Sequence, residues 1–178
     1  MKSVKLNNTV VEVDKGDITE EKTDAIVNAA NNMLAPGGGV AGAIHKAAGP
    51  DLYEECKKIA PCATGEAKIT KGYRLKAKFV IHTVGPVYGK DDNAPLLLKQ
   101  CYVNSLKLAD ENKIKSISFP AISTGIFGYP VNEAADISLN AVKDYIKNGT
   151  NIEKVRFVLY NRDVYWVFEN IFLKVFGG

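Results

Sequence analysis

The sequence predicts an α/β fold in which helices cover both faces of a mixed central sheet. Short strand patterns alternate with longer helical patterns along the chain, which is typical of βαβ units. The stretch 25–28 opens with Ala-Ile-Val and is expected to be a central strand covered on both faces. The stretch 9–14 alternates apolar and polar residues and is a candidate edge strand, which allows the sheet to be mixed. A chain of 178 residues is expected to form one domain over 1–178.

Six strands and five helices are expected in this order. The strands fall at 9–14, 25–28, 67–70, 79–84, 116–120 and 155–160. The helices fall at about 40–48, 53–59, 93–112, 130–147 and 163–175, with Pro130 at the first position of the fourth. His82 lies inside an apolar strand and is interpreted as a hydrogen-bonded core residue.

The composition excludes several classes of function. The net charge is only +3 and the lysines are scattered, so nucleic acid is not expected as the main partner. Three cysteines without C-x-x-C spacing and two histidines do not suggest a zinc site, and no cofactor is expected. No apolar segment reaches membrane-spanning length and the N-terminus lacks a signal pattern, so no membrane partner is expected and the cytoplasm is the expected location.

A first candidate site follows the central strand. Asn28 and Asn31 come at the end of this strand, and Gly38, Gly39 and Val40 lie in a glycine run that leads into a helix. Glycines expose backbone N–H groups, and a helix N-terminus favours an anion such as phosphate. Carboxamides can bond sugar hydroxyls. Triple glycine is also common in flexible turns. Residues 37–42 match G-x-G-x-x-G, but the preceding strand ends too far back for a dinucleotide fingerprint, and no Lys-Ser or Lys-Thr follows at P-loop spacing.

A second loop of the same kind follows a later strand. It contains Ser123, Thr124, Gly125, Ile126 and Phe127, and it also leads into a helix. Ligands of such folds bind outside the carboxyl ends of the strands. Asp17, Tyr160 and Asn161 also come just past predicted strand ends. Two facing loops of this kind could bind a diphosphate through backbone N–H groups and hydroxyls.

Three individual residues have two interpretations each. Asp17, with Glu20 three residues later, resembles a capping box, so it is either an N-cap or a ligand contact. His45, one helical turn past Ala41, is either a general base or a structural helix residue. Tyr160 either stacks on a ligand ring or closes the core at a strand end.

Several motifs in register resemble the macrodomain family, and most closely its MacroD-type branch. The matching stretches are Gly16–Thr19, Asn28–Asn31, Gly37–Val40, Ala43–Gly49, Thr64–Gly65, His82–Pro86 and Phe119–Gly125. They occur in the family's order and cover nearly the whole chain. The resemblance implies a three-layer α/β/α macrodomain sandwich with a mixed central sheet.

The resemblance also implies that the ligand is ADP-ribose, free or attached to a protein. Asp17 would then bind the adenine amine, with Ile18 beside the base and Tyr160 stacked on it. Residues 125–127 would lie along the diphosphate, with Phe127 near the distal ribose. Asn31 would bond the hydroxyls of that ribose.

The implied activity is hydrolysis of ADP-ribosyl esters on proteins, or of O-acetyl-ADP-ribose. MacroD-type proteins usually have an aspartate where this chain has Ala41, and a methyl group cannot orient water. The remaining catalytic candidates are Asn31, His45 and the ligand's own phosphate. A non-catalytic ADP-ribose reader is the alternative that Ala41 favours. A poly(A) or nucleic-acid binder is a third class, but no basic stripe supports it.

Overall fold

The computed structural model describes residues 1–177, which form seven strands, five α-helices and one short 3₁₀ turn. The strands are β1 (Lys2–Leu6), β2 (Thr9–Lys15), β3 (Ala25–Ala29), β4 (Ala67–Lys71), β5 (Phe79–Thr83), β6 (Ser116–Phe119) and β7 (Lys154–Leu159). The helices are α1 (Gly39–Ala48), α2 (Pro50–Ile59), α3 (Ala94–Glu111), α4 (Val131–Lys147) and α5 (Arg162–Phe176). The 3₁₀ turn covers Ile18–Glu20. Gly178, the last residue of the predicted domain, lies outside the described residues.

The strands form one mixed sheet in the order β1-β2-β7-β6-β3-β5-β4. The five inner strands run parallel, and β1 and β4 pair antiparallel to their neighbours at the two edges. The predicted mixed sheet is confirmed. The prediction that 9–14 is an edge strand is wrong, because β2 lies between β1 and β7. The edge strand on this side of the sheet is β1, which was not predicted. It is short and mostly exposed, so its sequence shows little apolar alternation.

Two hydrophobic cores lie on opposite faces of the sheet, as a three-layer α/β/α fold requires. Successive residues of β3 divide between them: Ala25 and Val27 join the core under α3, α4 and α5, and Ile26 joins the core under α1 and α2. This division follows from the two-residue period of a strand. The apolar pattern at the start of β3 therefore reflects burial on both faces, and the predicted sandwich is confirmed.

The helices differ from the predicted boundaries mainly at their starts. The second begins at Pro50, which occupies the first helical position, and not at residue 53. The fourth begins at Val131, so the prediction that Pro130 is its first residue is wrong. Pro130 has extended backbone angles, and its carbonyl accepts the N–H of Ala134 at 2.9 Å. It is therefore the residue just before the helix.

Candidate functional site

The carboxyl ends of the five parallel strands meet along one edge of the sheet. The loops that follow them carry nearly all of the predicted site residues. Across the edge these loops start after β2 at residue 16, after β7 at 160, after β6 at 120, after β3 at 30 and after β5 at 84. In open α/β sheets this edge is where ligands bind. The fold therefore brings together segments that are far apart in sequence.

The first glycine loop ends in a set of unpaired backbone donors. Gly38 is the N-cap of α1, and the N–H groups of residues 39–41 have no acceptor within the described chain. The first pairing in this helix is from the Gly42 N–H to the Gly38 carbonyl, at 3.2 Å. A side chain on Gly42 would place its Cβ 2.2 Å from the Gly37 carbonyl oxygen, so only glycine permits this close approach of loop and helix. A Cβ added at Gly38 or Gly39 would meet no atom within 4 Å, so the space beside these two residues is open.

The second loop presents three more free amides. The N–H groups of residues 125–127 have no acceptor among the described residues, while those of Gly128 and Tyr129 bond back to Gly125 and Ser123 at 3.0 and 2.9 Å. A side chain at Gly125 would meet nothing within 4 Å. β6 and β3 are neighbours in the sheet, so the two sets of free amides follow adjacent strands. Successive free amides of this kind are an anion-binding feature.

The two hydroxyls predicted to assist the second loop are engaged elsewhere. Ser123 is buried and donates to the Pro86 carbonyl at 2.8 Å. Thr124 donates to the Ala121 carbonyl, also at 2.8 Å. A phosphate needs donors, and these two are already used. In this structure the free donors of the second loop are therefore backbone N–H groups, and the role of the two hydroxyls in ligand binding stays a prediction.

The two asparagines of the first motif occupy different environments. Asn31 is half-buried, and its carboxamide bonds the N–H and C=O of Ala35 at 3.0 and 2.9 Å. This fixes its orientation and leaves one N–H and one lone pair free for a ligand. Asn28 is fully buried, and its Nδ2 lies 3.1 Å from Nδ1 of His82. Its side chain does not reach the open crevice, so the structure does not support its predicted role as a ligand contact.

His82 lies between β3 and β4 in a buried polar network. Its Nε2 is 2.9 Å from the Thr70 hydroxyl, which itself donates to the Lys71 carbonyl. The ring therefore donates from Nε2 and accepts from Asn28 at Nδ1. Burial, with a smaller effect of the nearby His45, lowers the pKa of His82 to about 3. The prediction of a hydrogen-bonded core histidine is confirmed.

Asp17 can both cap the 3₁₀ turn and contact a ligand. Its Oδ1 accepts from the N–H and the hydroxyl of Thr19 at 2.9 and 2.7 Å. Its Oδ2 has no partner among the described residues, and the residue is exposed. The predicted reciprocal capping box is absent, because the Glu20 carboxylate pairs with Lys76 at 2.5 Å instead. Ile18 is buried and belongs to the core under α1 and α2.

Tyr160 and Asn161 lie where β7 passes into α5. The Tyr160 side chain is 80% exposed, which rules out its alternative role as a residue closing the core. β7 pairs with β2, so Tyr160 follows the strand next to the one that precedes Asp17. Its exposed ring is free to stack on a flat ligand. Asn161 is the N-cap of α5: its Oδ1 accepts from the N–H groups of Asp163 and Val164 at 2.8 and 3.3 Å. Only its amide N–H groups remain available to a ligand.

Ala41 and His45 lie one turn apart on the inward face of α1. Ala41 is 5% exposed and His45 is 7% exposed. Neither ring nitrogen of His45 has a hydrogen-bond partner in the described protein, and Tyr53 approaches the ring edge-on at 6.1 Å between centroids. Burial lowers the pKa of His45 below its ordinary value, which favours the neutral imidazole and makes it a weaker base.

The segment Gly85–Asp91 is part of the site but was assigned no role from the sequence. It connects β5 to α3 and contacts the second loop twice. Pro86 accepts from Ser123, and the Tyr88 N–H donates to the Phe127 carbonyl at 2.9 Å. Gly85 and Pro86 belong to the stretch His82–Pro86 that resembles the family, but the two contacts with the second loop join residues about forty positions apart in sequence. No local pattern in the sequence indicates it.

Two further properties concern the described residues only. They contain no group of three or more His, Cys, Asp or Glu side chains placed to bind a metal ion. No helix in residues 1–177 combines the length and apolar character needed to cross a bilayer.

Comparison with known proteins agrees with this architecture. Residues 27–138 match the model of the Macro domain family. The ADP-ribose glycohydrolase MACROD2 of Xenopus laevis is 52% identical over 149 residues, which cover 82% of this chain and 36% of that protein. The O-acetyl-ADP-ribose deacetylase of Citrobacter koseri is 48% identical over 166 residues, 90% of this chain and 94% of that one. The chain belongs to the Macro domain family.

A solved structure shows the same fold. A mutant Oceanobacillus iheyensis macrodomain determined with ADPR superposes with a TM-score of 0.96 at 38% identity, covering 99% of each chain. The identity is high enough that the likeness supports common ancestry as well as a common fold.

Proposed function

We propose that this protein binds ADP-ribose at the carboxyl edge of its sheet and hydrolyses ADP-ribose from mono-ADP-ribosylated proteins, from O-acetyl-ADP-ribose, or from both. The observation that carries the proposal is the pair of free amide sets, 39–41 and 125–127, on loops after two adjacent strands. Three donors on each side can bind a diphosphate without any charged side chain. The relatives named as a glycohydrolase and a deacetylase support the same activity.

The rest of the ligand follows from the groups on either side. Asp17 has a free carboxylate oxygen for the adenine amine, and the exposed Tyr160 ring is available to stack on the base. Asn31 has a free N–H and a free lone pair for the distal ribose. We further propose that the protein acts in the cytoplasm, with neither nucleic acid nor membrane as its main partner.

The proposed reaction is attack of water on the ester at the distal ribose. Water adds to the acyl carbon, the bond to the ribose oxygen breaks, and the products are ADP-ribose and a free carboxylic acid. His45 is the proposed base that accepts the proton of the water; because both ring nitrogens are buried in the free protein, this role requires that water reach them beside the bound ligand. Asn31 is the proposed group that orients the ribose.

A non-catalytic reader is the second candidate function. The observation that favours it is Ala41, a methyl group where MacroD-type proteins usually have an aspartate. A reader would bind ADP-ribose equally well, because none of the free amides belongs to a side chain. Binding measurements alone therefore do not distinguish the two candidates.

One experiment tests both. The protein is incubated with a target carrying glutamate-linked mono-ADP-ribose, and the release of labelled ADP-ribose is followed with time. Isothermal calorimetry with ADP-ribose and ADP is run alongside. Release above the buffer rate supports the hydrolase, and binding without release supports the reader. Absence of binding in calorimetry would refute the proposed site.

A further inference from the structure

The segment Gly85–Asp91 lies against the second loop at both ends of its free amides. The Pro86 carbonyl accepts the Ser123 hydroxyl at 2.8 Å on one side. The Tyr88 N–H donates to the Phe127 carbonyl at 2.9 Å on the other. The N–H groups of 125–127 have no acceptor among the described residues, so no hydrogen bond of their own holds them in place. These two flanking bonds tie the loop to a neighbouring segment, in addition to the bonds within the loop from Gly128 to Gly125 and from Tyr129 to Ser123.

Close packing at Gly85 shows that this contact is tight. A Cβ at Gly85 would lie 2.2 Å from the Ser123 Oγ and 2.7 Å from the Ile122 side chain. Ser123 itself has a positive φ of 69°, a conformation that costs energy for any residue other than glycine. The loop therefore follows a path that it would not adopt without support. Its bond to Pro86 is one source of that support.

Asp91 fixes the shape of the supporting segment. Its Oδ2 accepts the N–H of Val87 at 2.7 Å, a short bond to a charged acceptor. The N–H groups of Lys90 and Asp91 in turn bond the Val87 carbonyl at 3.2 and 3.0 Å. Val87 is thus bonded at both its N–H and its C=O. It lies between Pro86 and Tyr88, the two residues that contact the second loop.

We propose that Asp91 is a positioning residue for diphosphate binding, acting through the turn 86–88 to set the free amides of residues 125–127. This inference rests on the proposed function, since it assumes that those amides bind the diphosphate. Asp91 has no role in the reaction itself. Loss of its bond to Val87 loosens the turn, and the amides then lose part of their alignment before a ligand arrives.

The test compares two neighbouring aspartates. Asp91→Ala removes the bond, and Asp92→Ala removes the same charge from an exposed residue that makes no hydrogen bond in the described chain. Asp91→Asn keeps an acceptor oxygen. Calorimetry with ADP, ADP-ribose and AMP measures binding. Amide hydrogen exchange at Gly128 and Tyr129, whose N–H groups bond within the loop, measures the order of the free protein.

We expect Asp91→Ala to bind ADP and ADP-ribose about tenfold more weakly. A loss of this size is typical of the energetic coupling between a distant residue and a binding site. Because AMP has one phosphate fewer, its affinity should fall by a smaller factor. Exchange at Gly128 and Tyr129 should accelerate in this variant. Asp92→Ala should behave as wild type, and Asp91→Asn should recover most of the lost affinity.

Three results would overturn the inference. The first is a folded Asp91→Ala protein with wild-type ADP affinity and unchanged exchange in the loop. The second is an equal loss in Asp92→Ala, which would indicate a simple charge effect. The third is an equal loss for AMP and ADP, which would indicate a general structural defect.

Two further outcomes are also decisive. If Asp91→Ala does not fold, Ser123→Ala removes only the bond to Pro86, and it should show the same selective loss of ADP affinity; wild-type affinity there would refute the inference. If the wild-type protein binds neither ADP nor ADP-ribose, the proposed function fails instead. Exchange at Gly128 would then still show whether Asp91 orders the loop.

Discussion

At the scale of single residues, side chains around the candidate site are largely occupied by internal hydrogen bonds. The hydroxyl of Ser123, the carboxamide of Asn31 and one carboxylate oxygen of Asp17 all bond backbone groups nearby. These side chains help to shape the loops of the candidate site. A substitution at such a position therefore has two effects, one on stability and one on binding, and a useful experiment has to separate them.

Asp17 offers one such separation. Asp17→Ala should weaken ADP-ribose binding by about 1.5–3 kcal/mol, the range for a hydrogen bond to a charged group. Loss of the cap should also lower stability by about 1 kcal/mol. Asp17→Ser keeps an oxygen for the Thr19 N–H but lacks the second carboxylate oxygen, so it should lose affinity and retain stability. Calorimetry and urea unfolding measure the two effects; a Ser variant with full affinity would make Asp17 a structural residue only.

Gly125→Val tests the second loop. The backbone at Gly125 is not in the left-handed region, and a side chain there meets no protein atom within 4 Å. The valine variant should therefore fold normally. The valine should occupy the space through which a phosphate reaches the amides, so ADP-ribose binding should be lost. Gly125→Ala should show a smaller loss. Wild-type affinity in a folded Val variant would separate this loop from the diphosphate.

Ala41→Asp tests whether the methyl group limits turnover. The new carboxylate would lie in the first turn of α1, where the helix dipole favours it. It would also lie one turn from His45 and raise the pKa of that imidazole. A water-orienting group typically contributes about a hundredfold to rate, so hydrolysis should be faster by about that factor. Ala41→Asn is the control, because asparagine is similar in size to aspartate but uncharged. Equal rates for wild type and Ala41→Asp on one ester substrate would refute the idea.

At the scale of secondary-structure elements, the buried network around His82 joins three neighbouring strands. Asn28 of β3, His82 of β5 and Thr70 of β4 form a row of hydrogen bonds across this half of the sheet. Because the histidine is held neutral inside the sheet, protonation would break this row. The stability of β3, the strand that precedes the first glycine loop, should therefore depend on pH through its hydrogen bond to His82 of β5.

The sign of this pH dependence follows from the pKa. In the unfolded chain His82 titrates near 6.5, and in the folded protein its pKa is about 3. Below pH 6.5 the unfolded state binds the extra proton, so stability falls as the pH is lowered from 6.5 toward 3. From pH 6.5 to 5 the loss should reach about 2 kcal/mol. Burial also lowers the pKa of His45, so this residue too should make the protein less stable as the pH falls.

Urea unfolding at pH 7 and pH 5 measures the effect. His82→Gln retains an amide for the network but does not titrate, so its stability should change less between the two pH values than that of the wild type. An identical pH dependence in both proteins would show that His82 does not protonate on unfolding in this range.

The elements also show how far the sequence alone could go. Strand and helix alternation predicted the layers, and the positions of Asp17, Gly125 and Tyr160 past strand ends predicted that they would lie at one edge of the sheet. The inward orientation of Asn28 was not predictable, because a strand buried on both faces gives no amphipathic pattern to show which way a residue points. β1 was missed for the opposite reason, since most of it is exposed. Asp91 was missed because its effect passes through contacts between distant segments.

At the scale of the whole molecule, the candidate site exists only when the full sheet is assembled. The loops after β2, β3, β6 and β7 come from the beginning, middle and end of the chain. A ligand that contacts all of them binds the folded state and not the unfolded chain. Its binding energy should therefore appear as stabilisation of the entire protein.

A thermal-shift experiment checks this linkage. ADP-ribose at about 100 times its dissociation constant should add about 2.7 kcal/mol to the stability. For a protein of this size the melting temperature should rise by roughly 5–10 °C. ADP at the same concentration should give a smaller rise, because it lacks the distal ribose. The Gly125→Val variant is the control and should show no shift. An unchanged melting temperature for wild type would contradict the proposed site.

The free main-chain amides of residues 39–41 and 125–127 have a consequence for mutational scanning. Every amino acid except proline has the same backbone N–H, so most substitutions at these six positions preserve the donors. Position 41 is already alanine, a side chain at Gly39 would be strained by its positive φ of 55°, and a side chain at Gly125 would occupy the space beside the amides, so a loss of affinity in such variants would not measure the N–H donors themselves. Their contribution would become visible only through backbone chemistry, such as replacement of a single amide by an ester in a semisynthetic protein. The six proposed phosphate donors are therefore groups that substitution of side chains cannot remove one at a time.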